Sequence, residues 1–275
     1  MPRERRLTFG EVAELYDRAR PTYPAELVRE VIELAGVEPR QRVLEVGAGT
    51  GKATAMFAAR GLPVIALEPS AAMATIARRT CAPYPEVEIV QSDFERWDAG
   101  MTFPLLYCAQ AWHWIEPELR YLRARAVLSP DGLLAVFWNR ASWEECELRD
   151  ELRVAYRSAA PEFGVDGPMH PGFDLPLQPS GDWAREIDAT TGFDRPEVRH
   201  YKWTCVYSTS DYAELLQTHS DHVLLAPERL QALLGAVGDV IDRHGGRMQF
   251  TYVTLLCLAR AAERNRATEG RAGGA

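Results

Sequence analysis

Lysine is nearly missing from this 275-residue chain. Only Lys52 and Lys202 occur, and the rest of the basic charge is arginine. Lys and Arg total 31 against 39 Asp and Glu, a net charge of −8 at pH 7. That balance argues against a broad nucleic-acid-binding face. Paired cysteines are missing too. Cys81, Cys108, Cys146, Cys205 and Cys257 are scattered, odd in number and never spaced CxxC. This speaks against a disulfide frame or a zinc site and fits reduced thiols, so no metal is expected. No run approaches the ~20 apolar residues of a membrane span. The basic start, Arg3 to Arg6, is not followed by the apolar stretch of a signal peptide. A cytoplasmic protein with no membrane or nucleic-acid partner is therefore expected. The 47% of hydrophobic residues suffices for a sizeable core, and the length fits one large domain or two small ones.

Helix and strand patterns alternate over the first 140 residues. Thr8 and Glu11 have capping-box spacing and predict a helix to Arg18. A second helix runs from Pro24 to Gly36, with Pro in its first turn and Gly as its stop. Strands are predicted at Arg42–Val46, Pro63–Leu67, Val87–Gln91, Phe103–Ala109 and Leu133–Trp138. Helices between them cover Ala53–Arg60, a Ser70-capped segment to Arg79, and Glu118–Leu128. Such βαβ alternation predicts a doubly wound, mostly parallel α/β sheet with helices on both faces. Past Arg140 the rhythm changes. Ser142–Ala160 has an amphipathic helical pattern, and Pro161–Gly181 is a Pro/Gly-rich loop or flap. Late strands at Val198–Tyr207 and Met248–Leu258 bracket helices at Ser210–Thr218 and Pro227–His244. The chain thus divides into a cofactor-binding core with N-terminal cap helices (1–140), a lid or substrate insertion (141–196), elements completing a seven-stranded sheet (197–262) and a disordered tail (263–275).

The informative segment is Val43-Leu44-Glu45-Val46-Gly47-Ala48-Gly49-Thr50-Gly51-Lys52. A strand ends, the chain turns on three glycines, and a helix begins. Glycine lets a ligand press against the backbone, and open α/β sheets bind ligands beyond the strands' carboxyl ends. A phosphate-binding GxxxxGK[ST] loop fails twice, because Val46 stands at its first glycine and Ala53 follows the lysine. Lys52 is then a surface helix residue. The dinucleotide pattern GxGxxG fails at its third glycine, which comes one residue early at Gly51. Glu45 would repel a pyrophosphate and attract a cation.

Glu45-x-Gly-x-Gly-x-Gly resembles the first motif of class I S-adenosylmethionine-dependent methyltransferases. The resemblance implies a Rossmann-like fold and a sulfonium cofactor, S-adenosylmethionine, converted to S-adenosylhomocysteine. It implies that Gly47, Ala48, Gly49 and Gly51 lie against the cofactor and that Glu45 reaches its amino group, often through water. Glu68, ending the second strand, would take the ribose hydroxyls, with Pro69 and Met73 packing on the adenine. Asp93 would take the adenine amino group, with Phe94 stacking on the ring or offering its amide. The segment Phe9 to Pro24 resembles the opening of a small-molecule subgroup that includes trans-aconitate-type methyltransferases. This implies contact roles for Tyr16 and for Arg20, which could pair with the cofactor carboxylate. Ala109-Gln110-Ala111-Trp112-His113-Trp114 resembles the same subgroup, with Gln110 flanking the transferring methyl.

Methyl transfer is an in-line displacement that gains from a dry, shaped pocket. A carboxylate acceptor needs no base; for a hydroxyl acceptor His113 is the first candidate, ahead of His170 and His219. Trp183, Trp203, Tyr207 and Tyr212 are candidates to line an acceptor pocket. The reading is a small-molecule methyltransferase acting at oxygen. Its rivals are a non-catalytic cofactor-binding protein and, behind it, a nicotinamide-dependent oxidoreductase.

Overall fold

The computed structural model describes residues 13–164, 168–169 and 183–262. Seven strands form one sheet in the order β3-β2-β1-β4-β5-β7-β6. Strands β1 (Val43–Val46), β2 (Val64–Leu67), β3 (Val87–Val90), β4 (Phe103–Ala109) and β5 (Leu128–Ser142) run parallel. Strand β7 (Arg247–Arg260) inserts antiparallel between β5 and β6 (Glu197–Ser208). Strands β1 and β2 are buried at every residue, as sheet centres covered on both faces must be.

Alternation along β1 explains the two cores. Leu44 and Val46 face a layer with Leu67, Leu106, Val136 and Trp112. Val43 faces the opposite layer, with Phe57 of α3 (Lys52–Ala58) and Leu27, Val28 and Val31 of α2 (Ala25–Ala35). By the same period Glu45 points into that second layer. The sheet reverses its winding between β1 and β4, and the loops after these strands meet there.

Helix α4 (Ala71–Thr80) is capped by Ser70, whose hydroxyl accepts from the Met73 amide at 3.4 Å. Helix α5 (Pro117–Val127) passes directly into β5, with Asp131 at φ 58° and a shift of register against β4. The sequence reading started this strand at Leu133 and ended it at Trp138. In the fold Asn139 to Ser142 continue it, paired with Thr254 to Thr251 of β7. The helix expected from Ser142 accordingly begins at Glu147, as α6 (Glu147–Ala159). Helix α6 joins α8 (Thr209–Leu216) and α9 (Pro227–Arg243) around a third cluster containing Leu152, Tyr156, Leu216, Val237 and Phe250. Helix α7 (Trp183–Asp188) instead returns to the first core, where Glu186 accepts from Arg120 and, at 2.8 Å, from Tyr121. The Thr8/Glu11 box, most of the Pro161–Gly181 loop with His170, and the tail lie outside the described residues. Among the described residues no helix is long and apolar enough to cross a membrane.

Candidate active site

A cavity of about 1130 Å³, counted to its open mouth, lies over the carboxyl ends of β1, β2 and β4. Its floor is the glycine loop. Gly47, Gly49 and Gly51 all adopt positive φ, at 75°, 58° and 84°. They have different jobs. A Cβ on Gly47 would stand 2.3 Å from the Ala111 Cβ, so this glycine lets the loops after β1 and β4 touch. Nothing lies within 4 Å of a Cβ built on Gly49, which lines the cavity. Gly51 opens α3, and its Cβ would meet Ala77 and Cys81 of the α4 region at 3.1–3.3 Å. It serves packing and does not line the cavity, which corrects its expected contact with a ligand.

Glu68 is only 7% exposed yet lines the cavity. One carboxylate oxygen accepts from the Gly49 amide and the other from the Ser70 amide, each at 2.8 Å. The residue therefore staples the glycine loop to the start of α4 while lining the cavity. Tyr16, Arg20, Gly47, Ala48, Pro69, Met73, Asp93, Phe94 and Gln110 join it in the lining. Met73 also packs on Ala13 and Ile76, so it serves core and cavity together. Gln110 holds φ 63°, a strained value for a side-chain-bearing residue. Two bonds fix it: its amide donates to the Phe137 carbonyl, and its Oε1 accepts from the Asn139 amide, both at 2.9 Å.

Glu45 lies beneath the floor. It is fully buried and absent from the lining. Its Oε2 accepts from Thr54 Oγ1 at 2.5 Å and Tyr107 OH at 3.0 Å, and its Oε1 has no partner among the described residues. Burial raises its pKa to about 7, against the lowering by the two hydroxyls. Lys52 corrects another expectation. It is half-buried and lines the cavity, and burial lowers its pKa. Arg20 lines the rim. Its Nη2 donates to the Thr218 carbonyl at 2.8 Å, its guanidinium lies 5.1 Å from the Tyr16 ring centroid, and its buried Nε has no partner among the described residues. Tyr23, Thr50 and Trp114, which lie in the quoted segments but were given no role there, also line the cavity, as do Ile115 and Asn139, which no motif marks.

His113 does not meet the cavity. It is the exposed middle residue of a short 3-10 turn, Trp112–Trp114, whose ends face inward. This corrects its assignment as catalytic base. Of the four suggested acceptor-pocket aromatics, Tyr212 lines a second chamber beside the first. Trp183 belongs to the first core, while Tyr207 and Trp203 pack with Tyr252. His219, Asp221 and His222 bring ligand-type atoms within 4.8 Å of one another. Both His222 nitrogens are already engaged, by Asp221 Oδ1 at 2.7 Å and Tyr156 OH at 2.8 Å, so the cluster is hydrogen-bonded as it stands.

The sheet order and a ligand cavity at its switch point define a Rossmann-like class I fold. Residues 43–132 match a family described as "Methyltransferase domain". The chain is 34% identical over 179 residues to the "Uncharacterized methyltransferase Rv3342" of Mycobacterium tuberculosis. That match spans 63% of this chain and 66% of the relative, just under two thirds of its length. A candidate type II methyltransferase from Anaeromyxobacter dehalogenans superposes with a TM-score of 0.60, at 19% identity, over 88% of this chain and 98% of the other. A methyltransferase from Thiobacillus denitrificans, solved with S-adenosylhomocysteine, gives 0.50 at 15% identity, over 90% and 96%. At such identities the structures speak for the fold alone. Sequence and fold together set a region similar to methyltransferase domains, residues 43–132, on a Rossmann-like class I fold.

Proposed function

We propose that this protein transfers a methyl group from S-adenosylmethionine to an oxygen, carboxylate or hydroxyl, of a small molecule. The observation that carries the reading is the convergence of Gly49, Glu68 and Asp93 on one cavity at the sheet's switch point. The residues fit a cationic nucleoside better than a pyrophosphate. Glu68 is a wall of the cavity, and Glu45 below the floor keeps one oxygen without a partner. When bound, S-adenosylmethionine supplies an electrophilic methyl group on a positively charged sulfur.

The chain's own groups bind and orient. Glu68 is placed to accept from ribose hydroxyls, since two backbone amides fix its carboxylate. Asp93, Met73, Pro69 and Phe94 form the adenine side of the cavity. Arg20 and Lys52 offer positive charge for a carboxylate. Gln110, held in its strained conformation, sets the wall toward the acceptor. Much of the acceleration would come from such positioning.

Calorimetric titration with S-adenosylmethionine, S-adenosylhomocysteine and NAD tests the reading. Binding of both adenosyl ligands without NAD is expected. Binding of NAD alone would replace it with the oxidoreductase reading, and binding of the adenosyl ligands without turnover on any small molecule would favour a non-catalytic role.

A further inference from the structure

A second chamber of about 600 Å³, counted likewise to its mouth, adjoins the first cavity. Arg20, Pro21, Gln110 and Asn139 line both, so one partition separates them. Beyond it the walls are rich in aromatic side chains. Trp143 meets Phe250 edge-on with centroids 4.9 Å apart, and Tyr252 lies 4.8 Å from Phe250. Most polar groups of the partition are already committed. Asn139 donates through Nδ2 to the Thr22 carbonyl and accepts at Oδ1 from Thr254, and Gln110 accepts from the Asn139 amide. Two lining groups can carry a positive charge. Arg20 is the one charged side chain among the described lining residues, and His219 lines the chamber just after α8. The neighbouring His222, 5.3 Å away between ring centroids, is buried and held at both nitrogens.

We propose that this chamber seats the methyl acceptor, that the acceptor is a flat aromatic alcohol of phenol type, and that His219 takes its proton. The proposal rests on the methyltransferase reading above and names its acceptor class. The balance is simple. An oxygen lone pair forms the new O–C bond as the C–S bond of a methylsulfonium donor breaks, leaving its electron pair on sulfur as a neutral thioether. The O–H proton passes to the free imidazole nitrogen and then to solvent, so the single positive charge leaves as a proton. Burial, Arg20 and His222 hold His219 well below the usual imidazole pKa, against the opposing pull of Asp221. It thus enters turnover neutral. Arg20 favours negative charge developing on the acceptor oxygen and disfavours an ammonium in the same chamber.

Three probes sharing one ring system test this on the full chain: 2-naphthol, 2-naphthoate and 2-naphthylmethylamine. With S-adenosylhomocysteine present, 2-naphthol should bind saturably in calorimetry. Ala141→Trp, on the exposed edge of the chamber, should weaken that binding about tenfold or more and leave S-adenosylhomocysteine affinity unchanged. With S-adenosylmethionine, 2-naphthol should be methylated in preference to the other two. His219→Gln should cut that rate about 10²-fold at pH 7. The deficit should narrow as pH rises toward the phenolic range near about 10, and added imidazole should rescue His219→Ala. S-adenosylhomocysteine binding without 2-naphthol binding, preference for the amine or the carboxylate, or an undiminished rate in His219→Gln would each overturn the proposal. A wild-type chain that binds neither adenosyl ligand would overturn the methyltransferase reading itself, so the two failures are told apart.

Discussion

Glu68 shows how one side chain can carry a binding role and a folding role together. The sequence placed it at the end of β2 facing a ribose-type ligand; the structure adds that it accepts from the Gly49 and Ser70 amides. Glu68→Ala should weaken S-adenosylhomocysteine binding by about 1.5–3 kcal/mol, the range for a hydrogen bond to a charged group. Unchanged calorimetric affinity in a folded variant would remove the ribose assignment. Glu45 makes a different kind of prediction. Its pKa in the fold is about 7, against 4.5 for an unperturbed carboxyl. The folded chain therefore holds more protons than the unfolded one between those values, and this residue's contribution to stability falls as pH rises from 4.5 to 7. Glu45→Gln should abolish that slope, a difference on the order of 3 kcal/mol across the window, read from denaturant midpoints at pH 4.5 and 7.5. His113 makes a third. Exposed and outside the cavity, it should tolerate alanine with turnover changed less than about tenfold, far short of the loss of a general base. A loss of 10² or more would return it to the chemistry.

Among the elements, the glycine loop allows the sharpest contrast, because its glycines look alike in sequence and differ in the fold. Gly47→Ala meets both a positive φ and a 2.3 Å clash with the Ala111 Cβ. It should cost about 2–4 kcal/mol of stability, seen as a lowered thermal midpoint. Gly49→Ala meets only the backbone strain, about 1–2 kcal/mol, and sets its methyl in open cavity space. Its larger effect should be on adenosyl-ligand affinity, about tenfold or more, or 1.4 kcal/mol. Equal thermal loss in both variants would contradict this division. The core elements were legible because their signals are local. A fully apolar strand, a glycine turn and a capped helix each announce themselves within ten residues. The extension of β5 through Asn139–Ser142 was not legible, because polar residues there pair with β7 more than a hundred positions away. For the same reason Arg20, Gln110 and Glu68 could be read as site residues by motif, whereas Trp143, Phe250 and His219 share a chamber only through tertiary packing.

At the scale of the whole molecule, the two chambers depend on the first described segment being held against the last third of the chain. Helix α1 (Ala13–Ala19) packs Ala13 and Tyr16 against Met73 and Ile76 of α4. Two exposed ion pairs, Arg79 with Glu14 at 2.7 Å and Arg18 with Glu214 at 3.4 Å, add little, since such surface pairs contribute about 0–1 kcal/mol. The tie that crosses the partition is Arg20 to the Thr218 carbonyl, at 2.8 Å and partly buried. Because the donor is charged, losing it should release about 1.5–3 kcal/mol of local stability. Arg20→Ala should therefore speed hydrogen exchange in residues 13–20 and 209–218 while leaving β1, β2 and β4 protected. Arg18→Ala, which removes only an exposed pair, should change neither segment appreciably. If Arg20→Ala left exchange in both segments as in the wild type, the segment would be held by apolar packing alone. The role of Arg20 would then be confined to the ligand facing it.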